Sequence, residues 1–330
     1  MLQRAILFFL LLASVSVVWR GRHASNDTLR QALAGHGLAP DVKTIKNLDK
    51  SITSGAELDD AKQFVIAYYV DDGSGLLQPP LFLERYDRNR KEWKSASLPD
   101  AQAQSADMHV PCLGSIMRIT SSAERLFLDT HINPSAGCTL ILTRDMKLEA
   151  SLYGWVVGGL GEDTLIYHRS QIHFAPVHPA EIASYDLRTK RDATIFPPKP
   201  EPAIRRARAA QLREFYKTNE GWCNKNNDPC DAEYFDSALQ GEVATNETGS
   251  ALALLVSYEQ IQLVQGDVQK PSGPKDVLYI YRGVGEEAKM EYCEMLLAHA
   301  KARFGDVPLQ NLLKPEVLQR IFSEVAPEKP

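Results

Sequence analysis

Three histidines, His168, His173 and His178, stand five residues apart in the stretch YHRSQIHFAPVHPAE, Tyr167 to Glu181. Imidazole is the commonest metal ligand, and a catalytic zinc needs three protein ligands and one open position. His131 lies upstream, and YYVDDGSGLL supplies the carboxylates Asp71 and Asp72. A divalent metal could draw on these six residues. The spacing fits no local metal motif, however: there is no H-E-x-x-H, and five-residue steps in a loop fix no geometry. Pro176 and Pro179 stiffen the segment by themselves, and Phe174-Ala-Pro176 can pack it down while the histidines bond loop backbone or water. The stretch therefore reads first as a connection between two strands. Asp71-Asp72-Gly73 lacks the spaced oxygens of a calcium loop and reads first as turn chemistry. GGLGED, Gly158 to Asp163, has no following Lys-Ser/Thr, and no Gly-x-Ser-x-Gly elbow occurs, so neither a phosphate loop nor that hydrolase class is indicated. No catalytic residue is assigned. Asp71, Asp72, His131, His168, His173 and His178 remain the ligand-binding candidates.

Those residues need a scaffold, and the composition supports one. Of 330 residues, 44% are hydrophobic and 24% charged, which allows a packed core. The net charge of −5 and the lack of an extended basic patch argue against a nucleic-acid partner. The densest basic cluster, Arg205, Arg206, Arg208 and Arg213, falls on a predicted solvated helix.

The N-terminus carries Arg4 and then an almost wholly apolar run, Ala5 to Trp19, ended by Arg20-Gly-Arg22. That run suits a signal peptide over residues 1–24, or an uncleaved N-terminal anchor, and implies export to a periplasmic or extracellular space. No other membrane insertion is indicated. Export permits disulfides. The five cysteines are odd in number, so at least one is free or paired between chains. Cys223 and Cys230 flank a polar loop and are the expected staple. Cys112 and Cys138 fall before the first and third strands of one unit. Strands two apart lie ~9–10 Å from each other, beyond disulfide reach. That pair should form only if Met108 to Leu113 drapes across the end of the sheet.

Internal repetition sets the fold expectation. RYDRNRK at Arg85 to Lys91 and SYDLRTKR at Ser184 to Arg191 each separate two apolar strands. An Asp there can bond its own backbone two residues on. Alignment on these turns gives four units of four strands. The first has a weak strand near Ser51 to Thr53, then Phe64 to Val70, Leu81 to Tyr86 and Trp93 to Leu98. The second has Ser115 to Thr120, Arg125 to Thr130, Thr139 to Thr143 and Leu148 to Leu152. The third has Trp155 to Leu160, Thr164 to His168, Ile182 to Tyr185 and Ala193 to Phe196. The fourth has Glu242 to Thr245, Ala251 to Tyr258, Val277 to Tyr281 and Ala288 to Tyr292. Repeated meanders of this length indicate an all-β, β-propeller-like fold, because radial packing covers both faces of each sheet. A β-sandwich with irregular hairpins is the alternative. A fifth blade is expected only if Asp41 to Leu48 combines with the C-terminus.

Helices are expected as additions to a single domain over residues 25–330. An insertion at 199–239 precedes the last blade and begins with a helix, Pro202 to Lys217. Its acidic end, Asp228 to Asn246, reads as a docking seat before a binding lip. The C-terminus, 294–330, holds helices at Glu294 to Phe304 and from Pro315, where Leu318, Ile321, Phe322 and Val325 share one stripe. The latter is expected to cover a blade edge or one end of the sheets. Thr28 to Ala34 reads as a short leading helix. The second-to-third-strand connections, Asp71 to Pro80, His131 to Gly137, Arg169 to Ala180 and Glu259 to Asp276, are long and should gather at one end.

The blade pattern, with segments such as FVIAYYVDDGSGLLQPPLFLERYD and RSQIHFAPVHPAEIASYDLRT, resembles secreted or periplasmic bacterial β-propellers of no assigned function. That resemblance implies architecture and carries over no catalytic residue. The expected function is non-catalytic binding of a ligand or envelope protein through the long-loop end. The alternative is a metal-assisted, lactonase-like hydrolase using the His-bearing loops.

Overall fold

The computed structural model describes residues 28–324 apart from 75, 78, 134–135, 161, 170–180, 197–234, 237–242, 247, 249, 261, 265–266, 270–274 and 284–290. The chain falls into two compact units, Met1–Trp155 and Val156–Pro330. The proposed leader at 1–24, the helix from Pro202, His173, His178, and the Cys223–Cys230 pair all lie outside the described residues.

The first unit opens on a short helix, α1 (Leu29–Gly35). Thr28 caps it with a reciprocal bond to Gln31, a capping box that satisfies two orphan donors. Two meanders follow. Sheet 1 is β1 (Ile52–Asp59), β2 (Gln63–Val70), β3 (Leu81–Asp87) and β4 (Glu92–Leu98). Sheet 2 is β5 (Ser115–Ser121), β6 (Arg125–Asn133), β7 (Ala136–Thr143) and β8 (Leu148–Leu152). Each is antiparallel with strands in sequence order. β1 is longer than the Ser51–Thr53 expected, because Ala56 and Leu58 reach the core although polar residues surround them.

Alternation decides which side chains meet. Ala56, Leu58, Val65, Ala67, Leu81 and Leu83 of sheet 1 pack against Ile119, Leu126, Leu128, Leu140 and Leu142 of sheet 2. The opposite parity of sheet 1, with Phe64, Ile66, Tyr68 and Trp93, packs under α1 and the segment that follows it, through Leu29, Leu33, Leu38, Ile45 and Leu48. Asp41–Leu48 therefore forms turns in a cap and contributes no strand of a fifth blade.

The second unit repeats the plan. Sheet 3 is β9 (Gly154–Leu160), which starts at the junction, β10 (Thr164–Arg169), β11 (Glu181–Asp186) and β12 (Arg191–Phe196). Sheet 4 takes β13 (Phe235–Asp236), β14 (Val243–Thr245), β15 (Ala251–Gln260), β18 (Lys275–Arg282) and β19 (Glu291–Leu296). β13 and β14 both pair along β15. A separate ribbon, β16 (Gln262–Val264) with β17 (Asp267–Gln269), occupies part of the expected Glu259–Asp276 loop. The last strand runs on past Tyr292, since Val277 pairs with Leu296 and Arg282 with Glu291. The helix expected from Glu294 accordingly begins only at Leu297, as α2 (Leu297–Phe304).

Two short helices, α3 (Leu309–Leu312) and α4 (Pro315–Glu324), complete the C-terminus. They cover a face of sheet 4, where an edge or end was expected. Leu309, Leu312, Leu313 and Ile321 pack on Ala251, Ala253, Leu278 and Ile280. The other face, Leu252, Leu254, Val256, Tyr279 and Tyr281, meets Ile166, Ile182, Ile195 and Phe196 of sheet 3. The central strands β15 and β18 bury apolar residues on both faces, so both sides need cover. The chain is thus all-β with helical additions, three four-stranded meanders and a fourth sheet of five strands, consistent with a propeller-like fold.

The repeated Tyr-Asp turns are alike in detail. Asp87 Oδ1 accepts from the amides of Asn89 and Arg90, each at 3.0 Å. Asp186 Oδ1 accepts from those of Arg188 at 2.9 Å and Thr189 at 2.6 Å. Each turn closes on a lysine at positive φ, Lys91 at 56° and Lys190 at 59°. The backbone donors hold both carboxyls below the usual carboxylate range, with the Arg90 amide the largest cause for Asp87 and that of Thr189 for Asp186.

Candidate functional site

The sheets of the first unit are aligned end to end. At one end Arg85 donates to the carbonyl of Arg144 at 3.0 Å, and Lys94 meets Asp145 at 2.5 Å. At the other end lie the start of β1, the β2–β3 loop (71–80), the β4–β5 loop (99–114) and the β6–β7 turn. This second end is where the candidates Asp71, Asp72 and His131 fall.

The β4–β5 loop is sewn across the end of sheet 2. Ser105 Oγ accepts from the amides of Met108 and Val110, at 3.3 and 3.1 Å. The Ala106 amide donates to the Ser151 carbonyl at 2.7 Å, and Cys112 donates to Ala103 at 2.8 Å. The Tyr153 amide donates to Asp107 Oδ1 at 3.0 Å. Cys112 and Cys138 form a disulfide with a Cα–Cα distance of 5.4 Å. The draping that this pair requires is present, and it brings Cys112 over the start of β7. Gly114 completes the approach: a Cβ there would sit 2.4 Å from the His131 carbonyl oxygen. Such a disulfide suits folding in an oxidising compartment. Among the described residues Cys293 is a free, buried thiol, raised to about 11 by burial and then by Glu294.

The predicted ligand residues behave differently from one another. Asp71 Oδ1 accepts from the Gly73 amide at 2.8 Å and Asp72 Oδ1 from Ser74 at 2.9 Å, so both build the turn. Ser74, through its side chain and then its amide, holds the Asp72 carboxyl below its ordinary value. His131 is not in a long connection. It lies in β6, opposite Ser115 and Gly137, because the two strands extend to enclose only residues 134–135. His168 lies in β10 opposite Ile182, half-buried, and burial lowers its pKa. Among the described residues no group of three His, Cys, Asp or Glu side chains is placed to hold a metal ion.

What the sequence reading missed is a set of buried acids within apolar strands. Asp129 in RLFLDTHIN is 3% exposed and sits between the Arg118 guanidinium and the Thr139 hydroxyl, which donates at 2.5 Å. Burial raises its pKa, against the attraction of Arg118. Glu84 in LFLERYD is 2% exposed and accepts from Tyr68 at 3.0 Å. Burial pushes it to about 7, opposed by Ser95 and Tyr68. The available signal was an acid at core parity in a strand otherwise rich in Leu, Phe and Tyr.

Exposed apolar side chains mark the loop end instead. Leu76 of the β2–β3 loop is 65% exposed and Met108 of the β4–β5 loop 40%. Beneath them Leu77, Val110, Leu113 and Ile132 pack on the inter-sheet core. Two polar atoms in that core, Tyr69 Oη and Ser151 Oγ, are buried without a hydrogen-bond partner. Burial, with Asp100 nearby, raises the Tyr69 pKa.

No helix among the described residues is long and apolar enough to cross a membrane. No family model and no curated protein matches the chain. Among solved structures it is similar to TolB from Acinetobacter baumannii, at 8% identity over 74% of this chain and 67% of that one. The TM-score is 0.22, a likeness too loose to assign either a detailed fold or a function.

Proposed function

We propose that this is an exported, non-catalytic binding protein that engages an envelope protein or a small ligand through the loop end of its first unit. The observation that carries the reading is the Cys112–Cys138 disulfide. It fixes the β4–β5 loop to sheet 2 and presents Met108 at the same sheet end as Leu76. Rigidly held loops with apolar tips lose little entropy on docking, and exposed large apolar groups commonly mark contact sites. The disulfide, together with the apolar N-terminal run, supports export.

Site-specific photocrosslinking in the producing cells tests this. A photoreactive residue at Leu76 or Met108 should give discrete adducts, and one at Asn89, in the turn at the opposite end of sheet 1, should not. Adducts at Asn89 but not at the loop end would remove the reading. So would no adduct at any of the three positions combined with no small-molecule stabilisation in a thermal-shift screen.

A further inference from the structure

The cap over sheet 1, α1 and the segment through Lys50, is tied to the sheet at polar points that include Ser95 and His36, and the first requires a proton. The first is Ser95. Its hydroxyl touches Glu84 Oε2 and also the Thr44 carbonyl, at 3.0 Å. An ionised carboxyl and a carbonyl are both acceptors only, and a hydroxyl has one hydrogen. Both contacts are hydrogen bonds only when Glu84 Oε2 carries a proton, donating to Ser95 while Ser95 donates to Thr44. Glu84 Oε1 accepts from Tyr68, whose oxygen accepts from Asn47 of the cap at 3.3 Å. The second point is His36, which follows α1. Its Nε2 lies 2.7 Å from Glu57 Oε2 and its Nδ1 lies 3.3 Å from Asp59 Oδ2.

We infer that the cap is a proton-dependent latch, held on the aromatic face of sheet 1 in mild acid and loosened as Glu84 loses its proton. The surroundings do not offset this. Around Glu84 the facing groups are Tyr68, Ser95, Asn47 and Thr44, none of them cationic. Around His36 they are Glu57 and Asp59 of β1, the Phe64 ring at 4.7 Å, and Arg88, which pairs with Asp59 from the β3–β4 turn. Lys43, Lys46 and Lys50 of the cap are solvent-exposed, as is Asp49, which Arg30 engages. Burial raises Glu84 from 4.5 to about 7, which sets the sign. The closed cap favours the protonated carboxyl, so closure is strongest in acid and declines as pH rises through about 7. Trp93 donating to the Ala39 carbonyl at 3.0 Å does not titrate, so the cap loosens without departing.

Hydrogen exchange of the full chain, corrected for intrinsic rates, tests the latch. Between pH 5.5 and 8.5 the opening equilibrium of amides in 36–48 should rise about 10–30-fold, from linkage at a carboxyl moved between 4.5 and about 7. Amides of β6 and β7 should not follow. Glu84→Gln keeps a donor toward Ser95 and cannot titrate, so most of the rise should vanish. The wild-type chain alone can overturn the inference, by showing a flat cap or an equal rise in β6 and β7. A Glu84→Gln chain that retains the full wild-type rise would overturn it as well.

Discussion

Replacing both Cys112 and Cys138 by alanine removes the tie on which the loop end depends, and the cost can be worked from the chain. The bridge spans a sequence separation of 26. In the chain-entropy treatment, closing a loop of that size costs the unfolded chain about 12 cal/mol/K, or about 3.5 kcal/mol at 25 °C. The native state loses less. The amide bonds Cys112→Ala103 and Ala106→Ser151 remain, and Thr130 still donates to the Cys112 carbonyl at 2.6 Å. Both cysteines are fully buried, so each alanine also leaves a space about the size of a sulfur atom, worth roughly 1 kcal/mol. Urea unfolding of the double variant should therefore show a loss of about 4–6 kcal/mol. Wild-type protein unfolded in reductant should lose close to the entropic share alone, about 3 kcal/mol. A loss below about 1 kcal/mol in both experiments would refute the reasoning. It would mean that the hydrogen bonds of the 99–114 loop fix the sheet end by themselves.

Four further outcomes follow from the same structure. Glu84→Gln should stabilise the protein at pH 8 by up to about 3 kcal/mol and leave it unchanged near pH 4. The raised carboxyl contributes fully below its ordinary 4.5, and that contribution is lost as pH climbs through about 7; thermal melts across pH read this directly. Asp129→Ala strands the Arg118 guanidinium, half-exposed, and one of the two Thr139 contacts; chemical denaturation should register a loss of about 2–4 kcal/mol, more than Asp129→Asn. Gly137→Ala drives a Cβ to 2.6 Å from both the Thr130 carbonyl and the Trp155 ring, so about 3 kcal/mol should be lost, with altered Trp fluorescence. Ile321→Ala opens the α4 contact with sheet 4 and should cost about 2–5 kcal/mol by denaturant midpoint.

The meanders were legible because alternation and turn chemistry point the same way. Tyr86-Asp87 and Tyr185-Asp186 mark their turns with a carboxyl that bonds its own backbone, and the strands on either side follow. The expected leading helix, Thr28 to Ala34, is α1. Less was legible where tertiary pairing overrides local pattern. CEML after Tyr292 has helical residues, yet pairing with β18 holds it extended through Leu296. His131 sits beside Asn133-Pro134, a loop signal, but its strand partner is Gly137. The same limit applied to the site. Histidine spacing drew attention to a connection, whereas the loop end is organised by Cys112, which only a three-dimensional drape brings to Cys138.

The buried acids follow a rule that spacing alone could not show. Along β1 the residues Ala56 and Leu58 face sheet 2, and Glu57 faces the other way; along β3, Leu81 and Leu83 face sheet 2, and Glu84 faces the cap. On β6, Leu126 and Leu128 face sheet 1, and Asp129 lies on the opposite parity. A layer between two sheets has its backbone donors consumed by the ladders, so an acid there would find no partner, and burying it unpaired costs several kcal/mol. On the faces turned away from that layer an acid can be buried because a side chain of a neighbouring strand, Ser95, Tyr68 or Arg118, or His36 of the cap meets it. The acids therefore mark the face of each strand turned away from the inter-sheet layer. They also place the buried carboxyls of the first unit outside its sheet-to-sheet core. Moving an acid from one parity to the next tests this: Leu83→Glu with Glu84→Leu conserves composition, and it should cost far more than either loss of packing alone. A swapped variant as stable as the wild type would show that donors do reach the inter-sheet layer.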